Sequence, residues 1–170
     1  FTSFHGAWAR EYAERGYTHA VALDLSKYFD TLNHEKLLNL LRRDIKDERV
    51  IQWIKRYLKS GVMENGVVME TEEGSPQGGN ISPLLANIYL NEFDQEYEKR
   101  GVKFVRYADD IVLLAKSDRA AKRLLETSTK YLEGTLKLKV NQEKSRVVSV
   151  RVYARVAELL WGCRYEEENR

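Results

Sequence analysis

Residues 104–117 read FVRYADDIVLLAKS, two apolar runs separated by the tetrapeptide Tyr-Ala-Asp-Asp. The first run is mostly aromatic and β-branched and the second begins with Ile111 and Val112, residues that are typical of β-strands. Asp is depleted in strands, and an unpaired buried carboxylate is costly, so Asp109 and Asp110 are expected at a turn. The stretch therefore predicts a β-hairpin that carries its acids where the chain reverses.

The segments on either side of this hairpin alternate between helical and extended patterns. We predict an opening helix over 4–12, a strand over 18–25, a helix capped by Asn33, a helix near 47–60, a hairpin over 62–70, helices over 82–100 and 118–133, and short strands at 147–150 and 159–165. Helices and antiparallel strands are segregated in this order, which favours an α+β fold over a wound parallel sheet.

Three finer expectations concern packing. The helix near 47–60 is expected to bury Val50, Ile54 and Tyr57 on one face. Ser82 followed by Pro83 predicts an N-cap with proline at the first helical position. We also expect the three tryptophans to be buried in the core: Trp8, Trp53 and Trp161.

Length and composition exclude several classes of protein. The chain has 170 residues, 43% hydrophobic and 32% charged, which indicates one globular domain rather than a disordered or collagenous chain. The lone Cys163 cannot form an internal disulfide, and no apolar run approaches the roughly 20 residues of a membrane span. We expect a soluble protein of the bacterial cytoplasm or an organelle, neither secreted nor bound to a membrane.

The net charge of +2 hides an uneven distribution along the chain. Residues 1–115 carry 15 basic and 18 acidic side chains, whereas residues 116–155 carry 11 basic and 4 acidic ones. A basic segment beside an acidic one suits a protein that handles a polyanion through cation-holding carboxylates. A solvated helix face with long cationic side chains explains the same pattern, and charge alone leaves both interpretations open.

A third acid stands where strand propensity would not choose it. Asp24 ends the apolar strand over 18–25, and Asp109 and Asp110 interrupt the hairpin. If that strand lies beside the hairpin, the three carboxylates converge at one point of the sheet. Carboxylate oxygens suit Mg²⁺, and two such ions about 3.5–4 Å apart can support an in-line phosphoryl displacement. A turn or cap role explains Asp24 taken alone. Three acids at strand ends are rarer, and on the residues alone a metal site stands as one interpretation beside a structural role.

Five segments resemble, in family order, the palm motifs of reverse transcriptases, in the form found in group II intron reverse transcriptases (maturases) and their bacterial relatives. The hairpin over 104–117 is similar to the Tyr-x-Asp-Asp box. The others are ALDLSKYFDTLNH (22–34), GSPQGGNISPLLANIYLNEFD (74–94), LKLKVNQEKSRVV (136–148) and LLWGCRY (159–165), the last a degenerate Leu-Gly hairpin. The resemblance covers nearly the whole chain.

This resemblance implies the palm of an RNA-directed DNA polymerase, an antiparallel sheet with a ferredoxin-like core packed on helices. It implies Asp24, Asp109 and Asp110 as catalytic acids that hold two Mg²⁺ ions, with Mn²⁺ as a substitute. The backbone carbonyl of Leu25 is implied as a further metal ligand. The implied reaction is transfer of a deoxynucleotide to a primer 3′-hydroxyl.

Substrate-binding positions follow from the same resemblance, which assigns Leu25, Phe29, Gln77, Gly78, Tyr107 and Ala108. The ring of Phe29 corresponds to the steric gate that rejects a ribose 2′-hydroxyl, although the pattern alone favours an ordinary core role for this residue. Lys144 corresponds to a lysine proposed to donate a proton to the leaving pyrophosphate. A surface lysine is the alternative.

The resemblance also sets expectations for domain organisation and partners. Residues 1–170 are interpreted as one palm domain, without the N-terminal part of the fingers and without the thumb, so the palm alone is expected to be weakly active or inactive. Surfaces that fingers and thumb would cover are expected to promote self-association. The implied partners are an RNA template, a DNA primer, deoxynucleoside triphosphates and intron RNA.

Two other functions are alternatives to polymerase activity. In a maturase-type splicing scaffold, which binds intron RNA without catalysis of its own, the basic segment 116–155 would matter and the acids would be incidental. A metal-dependent nuclease could use the same acids, but it explains neither the loop around Gln77 nor Phe29. The acids together with these two residues favour a polymerase.

Overall fold

The computed structural model describes residues 12, 15–60, 63–64, 67–68, 73–76 and 79–149. The predicted closing strand over 159–165 lies outside this part, as does the opening helix except for Tyr12. In chain order the strands and α-helices are β1 (His19–Leu23), α1 (His34–Asp44), α2 (Glu48–Lys59), β2 (Met63–Glu64), β3 (Val67–Val68), α3 (Ser82–Lys99), β4 (Phe104–Tyr107), β5 (Asp110–Ala115), α4 (Asp118–Lys130) and β6 (Arg146–Ser149).

Four of the strands form one antiparallel sheet in the order β4-β5-β1-β6. β2 and β3 pair separately, as the hairpin predicted over 62–70, although the Asn65-Gly66 turn lies outside the described residues. Strands and helices therefore segregate as the sequence predicts, and the α+β fold is confirmed. The hairpin of β4 and β5 carries Tyr107 and Asp110 as its last pair.

The sheet buries side chains on both faces because its two central strands are almost entirely apolar. Val21 and Leu23 of β1 and Leu113 of β5 belong to the large core shared with the helices. On the opposite face Ala20, Val112 and Leu114 form a second buried cluster, against which Tyr12, Tyr17 and Val148 pack. Burial on both faces explains why both strands read as apolar runs rather than as alternating patterns.

Helix α3 contributes many buried side chains to the core on the helical side of the sheet. The predicted core positions Ala86, Leu90, Phe93 and Tyr97 are all buried. The rings of Phe93 and Tyr97 stack with centroids 4.1 Å apart, and the Tyr97 hydroxyl donates to Ser128 Oγ of α4 at 2.8 Å. These contacts join α3 and α4 into one layer beneath the sheet.

One of the two predicted helix caps forms as the sequence indicates, and the other does not. Asn33 accepts a hydrogen bond from the Lys36 N–H at 2.9 Å and caps α1. Ser82 is not an N-cap, because α3 begins at Ser82 itself with Ile81 before it. The Ser82 hydroxyl is instead buried and donates to the Pro76 carbonyl at 2.8 Å. At α4, Ser117 accepts from the Ala120 N–H.

The predicted buried face of α2 is wrong by about one residue. Ile51, Ile54 and Leu58 are buried, whereas Val50 is 40% exposed. Apolar residues recur at helical spacing on two adjacent faces of this helix, so periodicity alone does not select the inner one. Trp53 lies on the outer face with 62% of its surface exposed, which contradicts its expected place in the core.

No helix within the described ranges is both long enough and apolar enough to cross a membrane.

Burial rather than size should decide which aromatic side chains stabilise this fold. Phe93 is fully buried, so Phe93→Ala is expected to lower the free energy of unfolding by about 3–5 kcal/mol. Trp53→Ala removes a larger but mostly exposed ring and should change it by less than about 0.5 kcal/mol. Urea denaturation followed by circular dichroism measures both variants, and equal losses would contradict the packing described above.

Candidate active site

Strand register brings the first acid to the hairpin acids. β1 pairs with β5 so that Leu23 lies opposite Ile111, and the next step in the same register sets Asp24 opposite Asp110. On its other side β1 pairs with β6, and continuing that register from the pair of Ala22 with Arg146 leads to Lys144. Asp24 therefore lies at the end of β1, between the predicted site residues Asp110 and Lys144.

Hydrogen bonds fix the backbone of Asp24 from the β6 side. Its N–H donates to Ser145 Oγ at 3.1 Å, and its carbonyl accepts from the Asn141 N–H at 2.8 Å. The next residue, Leu25, is buried and forms an isolated antiparallel bridge with Val140. The hydrogen bonds of this bridge run through the flanking residues, so the Leu25 carbonyl takes no part in them.

The hairpin turn presents the other two acids at the edge of the sheet. Tyr107 and Asp110 close the ladder, which leaves Ala108 and Asp109 as the two turn residues. Ala108 adopts a left-handed backbone conformation with φ +53°. Tyr107 is 64% exposed beside the turn. The predicted hairpin with acids at its reversal is confirmed.

The acids repel one another electrostatically. Partial desolvation raises the pKa of Asp110, and the nearby negative charges of Asp109 and Asp24 raise this pKa further. Lys144 opposes this rise, and its Nζ atom lies 3.9 Å from Asp24 Oδ2. Asp24, Asp109 and Lys144 thus all act electrostatically on Asp110.

The carboxylates are not drawn together around a common point. Among the residues that the structure describes, no three His, Cys, Asp or Glu side chains are close enough to hold a metal ion as they stand. The donor set nevertheless fits a hard divalent cation, because it offers carboxylate oxygens whose mutual repulsion a cation would relieve.

Phe29 lies next to the loop that includes Gln77 and Gly78. Phe29 belongs to a short 3₁₀ turn, Tyr28–Asp30, and its half-buried ring packs against the large core. Its carbonyl accepts from the Ser75 N–H at 2.7 Å, which ties the turn to the start of the loop. Gln77 and Gly78 themselves lie outside the described residues.

The ends of this loop are held by a cluster of hydroxyl groups. Ser82 Oγ lies 2.7 Å from Ser75 Oγ and 2.8 Å from the hydroxyl of Tyr57. A Cβ atom on Gly79 would come within 1.7 Å of that tyrosine hydroxyl, so any other residue there would force the Tyr57 side chain to move.

Sequence reasoning missed several residues that support the site. Ser145 and Asn141 form hydrogen bonds with the backbone of Asp24. Arg106 forms an ion pair with Asp94 and donates a hydrogen bond to the Ala108 carbonyl in the hairpin turn. Arg106 left one signal, since it is the single cation in an otherwise apolar strand. No pattern in the sequence distinguishes Ser145 or Asn141 from ordinary loop residues.

Replacing Asp110 by Asn should stabilise the metal-free protein. A carboxyl group whose pKa is higher in the folded protein than in the unfolded chain makes folding less stable as the pH rises through that range, and the cost is complete above the folded-state pKa. We therefore expect D110N to raise the Tm at pH 7 by about 1–3 °C, with a smaller gain towards pH 4.

Thermal melts in chelator-treated buffer measure this effect. The matched control is Glu98→Gln, which removes an exposed carboxylate at the far end of α3 and should leave the Tm unchanged. A drop in Tm for D110N would contradict the repulsion described here.

The amino-acid sequence is similar to those of known proteins. A sequence model described as "Reverse transcriptase (RNA-dependent DNA polymerase)" matches residues 2–164. Protein YkfC of Escherichia coli is 35% identical over 161 aligned positions, which cover 75% of this chain and 42% of that protein. The group II intron-encoded protein LtrA of Lactococcus lactis is 35% identical over 125 positions, which cover 74% of this chain and 20% of LtrA.

Solved structures agree at the level of the fold. A structure of apo telomerase from Candida tropicalis, truncated from its C-terminal domain, superposes with a TM-score of 0.66 at 14% identity, over 86% of this chain and 34% of that one. The chain spans less than half the length of these curated relatives. The match over residues 2–164 is nonetheless decisive: the chain belongs to the reverse transcriptase (RNA-dependent DNA polymerase) family, and its similarity to LtrA lies on the group II intron side of that family.

Proposed function

We propose that this chain is the palm of an RNA-directed DNA polymerase that adds deoxynucleotides to the 3′-hydroxyl of a primer on an RNA template. The observation that carries the proposal is the sheet register that leads Asp24 to Asp110 at the Tyr107–Asp110 turn. A structural role for these acids would leave their mutual repulsion unexplained, whereas a cation site requires several carboxylates together.

Reverse transcriptases generally use divalent metal ions. In this chain Asp24, Asp109 and Asp110 would hold two Mg²⁺ ions, with Mn²⁺ as a substitute, and the Leu25 carbonyl would add a backbone ligand. Bound ions of this kind activate the attacking hydroxyl and offset charge at the leaving phosphate oxygens. The hydrogen bond that the Asp24 N–H donates to Ser145 and the one that its carbonyl accepts from Asn141 keep the backbone of the first of the three acids in place.

Lys144 and Phe29 act on the nucleotide in this proposal. Lys144 is mostly exposed beside Asp24, where its ammonium group can donate a proton to the leaving pyrophosphate. The ring of Phe29 closes the space beside the sugar and clashes with a ribose 2′-hydroxyl. Tyr107 and Ala108 flank the primer end, and the loop carrying Gln77 and Gly78 approaches the nucleotide.

Cations beside the acids support a nucleic-acid partner. Leu136, Leu138 and Val140 are buried, and the intervening Lys137 and Lys139 are exposed. Such an alternation presents ammonium groups to solvent next to Asp24, where the phosphates of a template–primer duplex would lie. The similarity to a group II intron-encoded protein favours intron RNA as a further partner.

The setting and assembly of the enzyme follow from the same proposal. Deoxynucleoside triphosphates and RNA occur together inside the cell, so we place the activity in the bacterial cytoplasm or in an organelle. The side chains of Trp53, Leu84 and Tyr107 are more than half exposed, and we expect self-association through such apolar surface.

Removing the two hairpin acids should abolish DNA synthesis. We expect Asp109→Ala/Asp110→Ala to lower primer extension on an RNA template at least about 10³-fold, because the loss of cation-binding carboxylates removes several kcal/mol of transition-state stabilisation. The assay uses the 170-residue chain with dNTPs and Mg²⁺, and Mn²⁺ binding is measured in parallel by electron paramagnetic resonance. Glu98→Ala serves as the control carboxylate.

The same experiment separates a polymerase from a splicing scaffold. Affinity for RNA should stay intact or rise in the double variant, since two negative charges near the phosphates are gone. Collapse of RNA binding in a folded variant would favour the scaffold. Mn²⁺ binding unchanged by the loss of both acids would overturn the polymerase proposal whether or not the chain extends a primer.

A smaller side chain at position 29 should relax sugar selection. Phe29→Ala is expected to raise ribonucleotide incorporation relative to deoxynucleotide incorporation by roughly 10²-fold or more. The clash with the ring costs the ribonucleotide several kcal/mol, and the smaller side chain removes this cost for the ribonucleotide only. Single-nucleotide extension with matched rNTP and dNTP pairs measures the ratio. An unchanged ratio would assign Phe29 to the core alone.

A further inference from the structure

The guanidinium of Arg106 is largely enclosed and fully charged. Its Nε atom lies 2.9 and 3.0 Å from the two carboxylate oxygens of Asp94, and Nη2 lies 2.6 Å from Oδ2. Only 12% of the Arg106 side chain and 19% of the Asp94 side chain are exposed. Breaking such a pair leaves a desolvated charge behind, so its geometry is firmly held.

A third nitrogen of the same guanidinium reaches the turn between β4 and β5. Nη1 donates to the Ala108 carbonyl at 2.9 Å and to Asn87 Oδ1 at 2.9 Å. Asn87 and Asp94 both belong to α3 and lie two helical turns apart. Arg106 therefore joins this helix to the peptide between Ala108 and Asp109.

The backbone at this point needs outside support. Ala108 has φ +53°, a conformation that Cβ disfavours and that the surroundings must impose. The carbonyl that Arg106 holds belongs to the same planar peptide unit as the Asp109 N–H. Fixing this carbonyl thus fixes the direction in which the chain enters Asp109.

We propose that Arg106 is a positioning residue: held by Asp94 and Asn87, it fixes the Ala108–Asp109 peptide and so sets the directions of the Asp109 and Asp110 carboxylates. The part of this inference that concerns ion binding rests on the proposed function. The ordering of the turn does not, and it can be measured without any substrate.

The alternative is an ion pair that merely stabilises the fold. Arg43 offers a matched comparison, because its Nη1 atom pairs with Glu92 Oε1 of the same helix α3 at 2.6 Å. The hydrogen bond that the Arg43 guanidinium donates goes to this helix and not to the hairpin turn. Arg43→Lys therefore reports what loss of an arginine ion pair on α3 does by itself.

The test compares Arg106→Lys with Arg43→Lys. Lysine keeps the charge but lacks the planar fork, so it cannot hold both Asp94 oxygens and the Ala108 carbonyl together. We expect R106K to lower the heteronuclear NOE of the Asp109 and Asp110 amides and to weaken Mn²⁺ binding about tenfold. Primer extension should lose kcat with an unchanged KM for template–primer. R43K should change none of these quantities.

Each outcome decides the inference. Turn amides as rigid as in the unmodified protein, together with unchanged Mn²⁺ affinity, would overturn it. If R106K does not fold, Asn87→Ala offers a second test, because it retains the Arg106–Asp94 pair. This variant should weaken Mn²⁺ binding about two- to fivefold, with the same loss of turn order. If neither Mn²⁺ binding nor turn order changes, the inference is overturned. If the unmodified chain binds no Mn²⁺, the proposed function fails, and the NOE measurement still decides the role of Arg106.

Discussion

The pairing of β1 with β5 at the centre of the sheet is the constraint on which the other features depend. Both strands are apolar on both faces, so they must lie inside the molecule, and a shift of one residue would exchange the side chains of the two buried faces. Asp24 follows β1 directly, and Asp110 begins β5. The strand register that buries the apolar residues is therefore also the register that sets these two acids opposite each other.

Helix α3 links that alignment to the rest of the molecule. One part of it stacks Phe93 and Tyr97 beneath the sheet, and another offers Asn87 and Asp94 to Arg106 on the hairpin. A two-residue turn with a left-handed alanine is poorly determined by its own sequence. Its conformation is supported by a helix whose position is fixed by packing, which is how a rigid scaffold can orient side chains at its edge.

The site combines repulsion with nearby positive charge. Partial burial and then the neighbouring acids raise the pKa of Asp110, while Lys144 opposes this rise and lies near Asp24. An arrangement of this kind is unfavourable without a counterion, and natural proteins accept such local costs mainly where function requires them. In the loop that carries Gln77, the absence of a side chain at Gly79 leaves the space that the Tyr57 hydroxyl occupies.

By itself the sequence determined the order of strands and helices in the described part of the chain, the hairpin with Asp109 and Asp110 at its turn and the cap at Asn33. Each of these depends on local propensity or on a motif of adjacent residues. Tertiary structure alone decided the inner face of α2, the exposure of Trp53 and the burial of the Ser82 hydroxyl. It also decided that Arg106 supports the turn, because its partners come from a helix more than ten residues away and only the packed fold brings them within hydrogen-bonding distance.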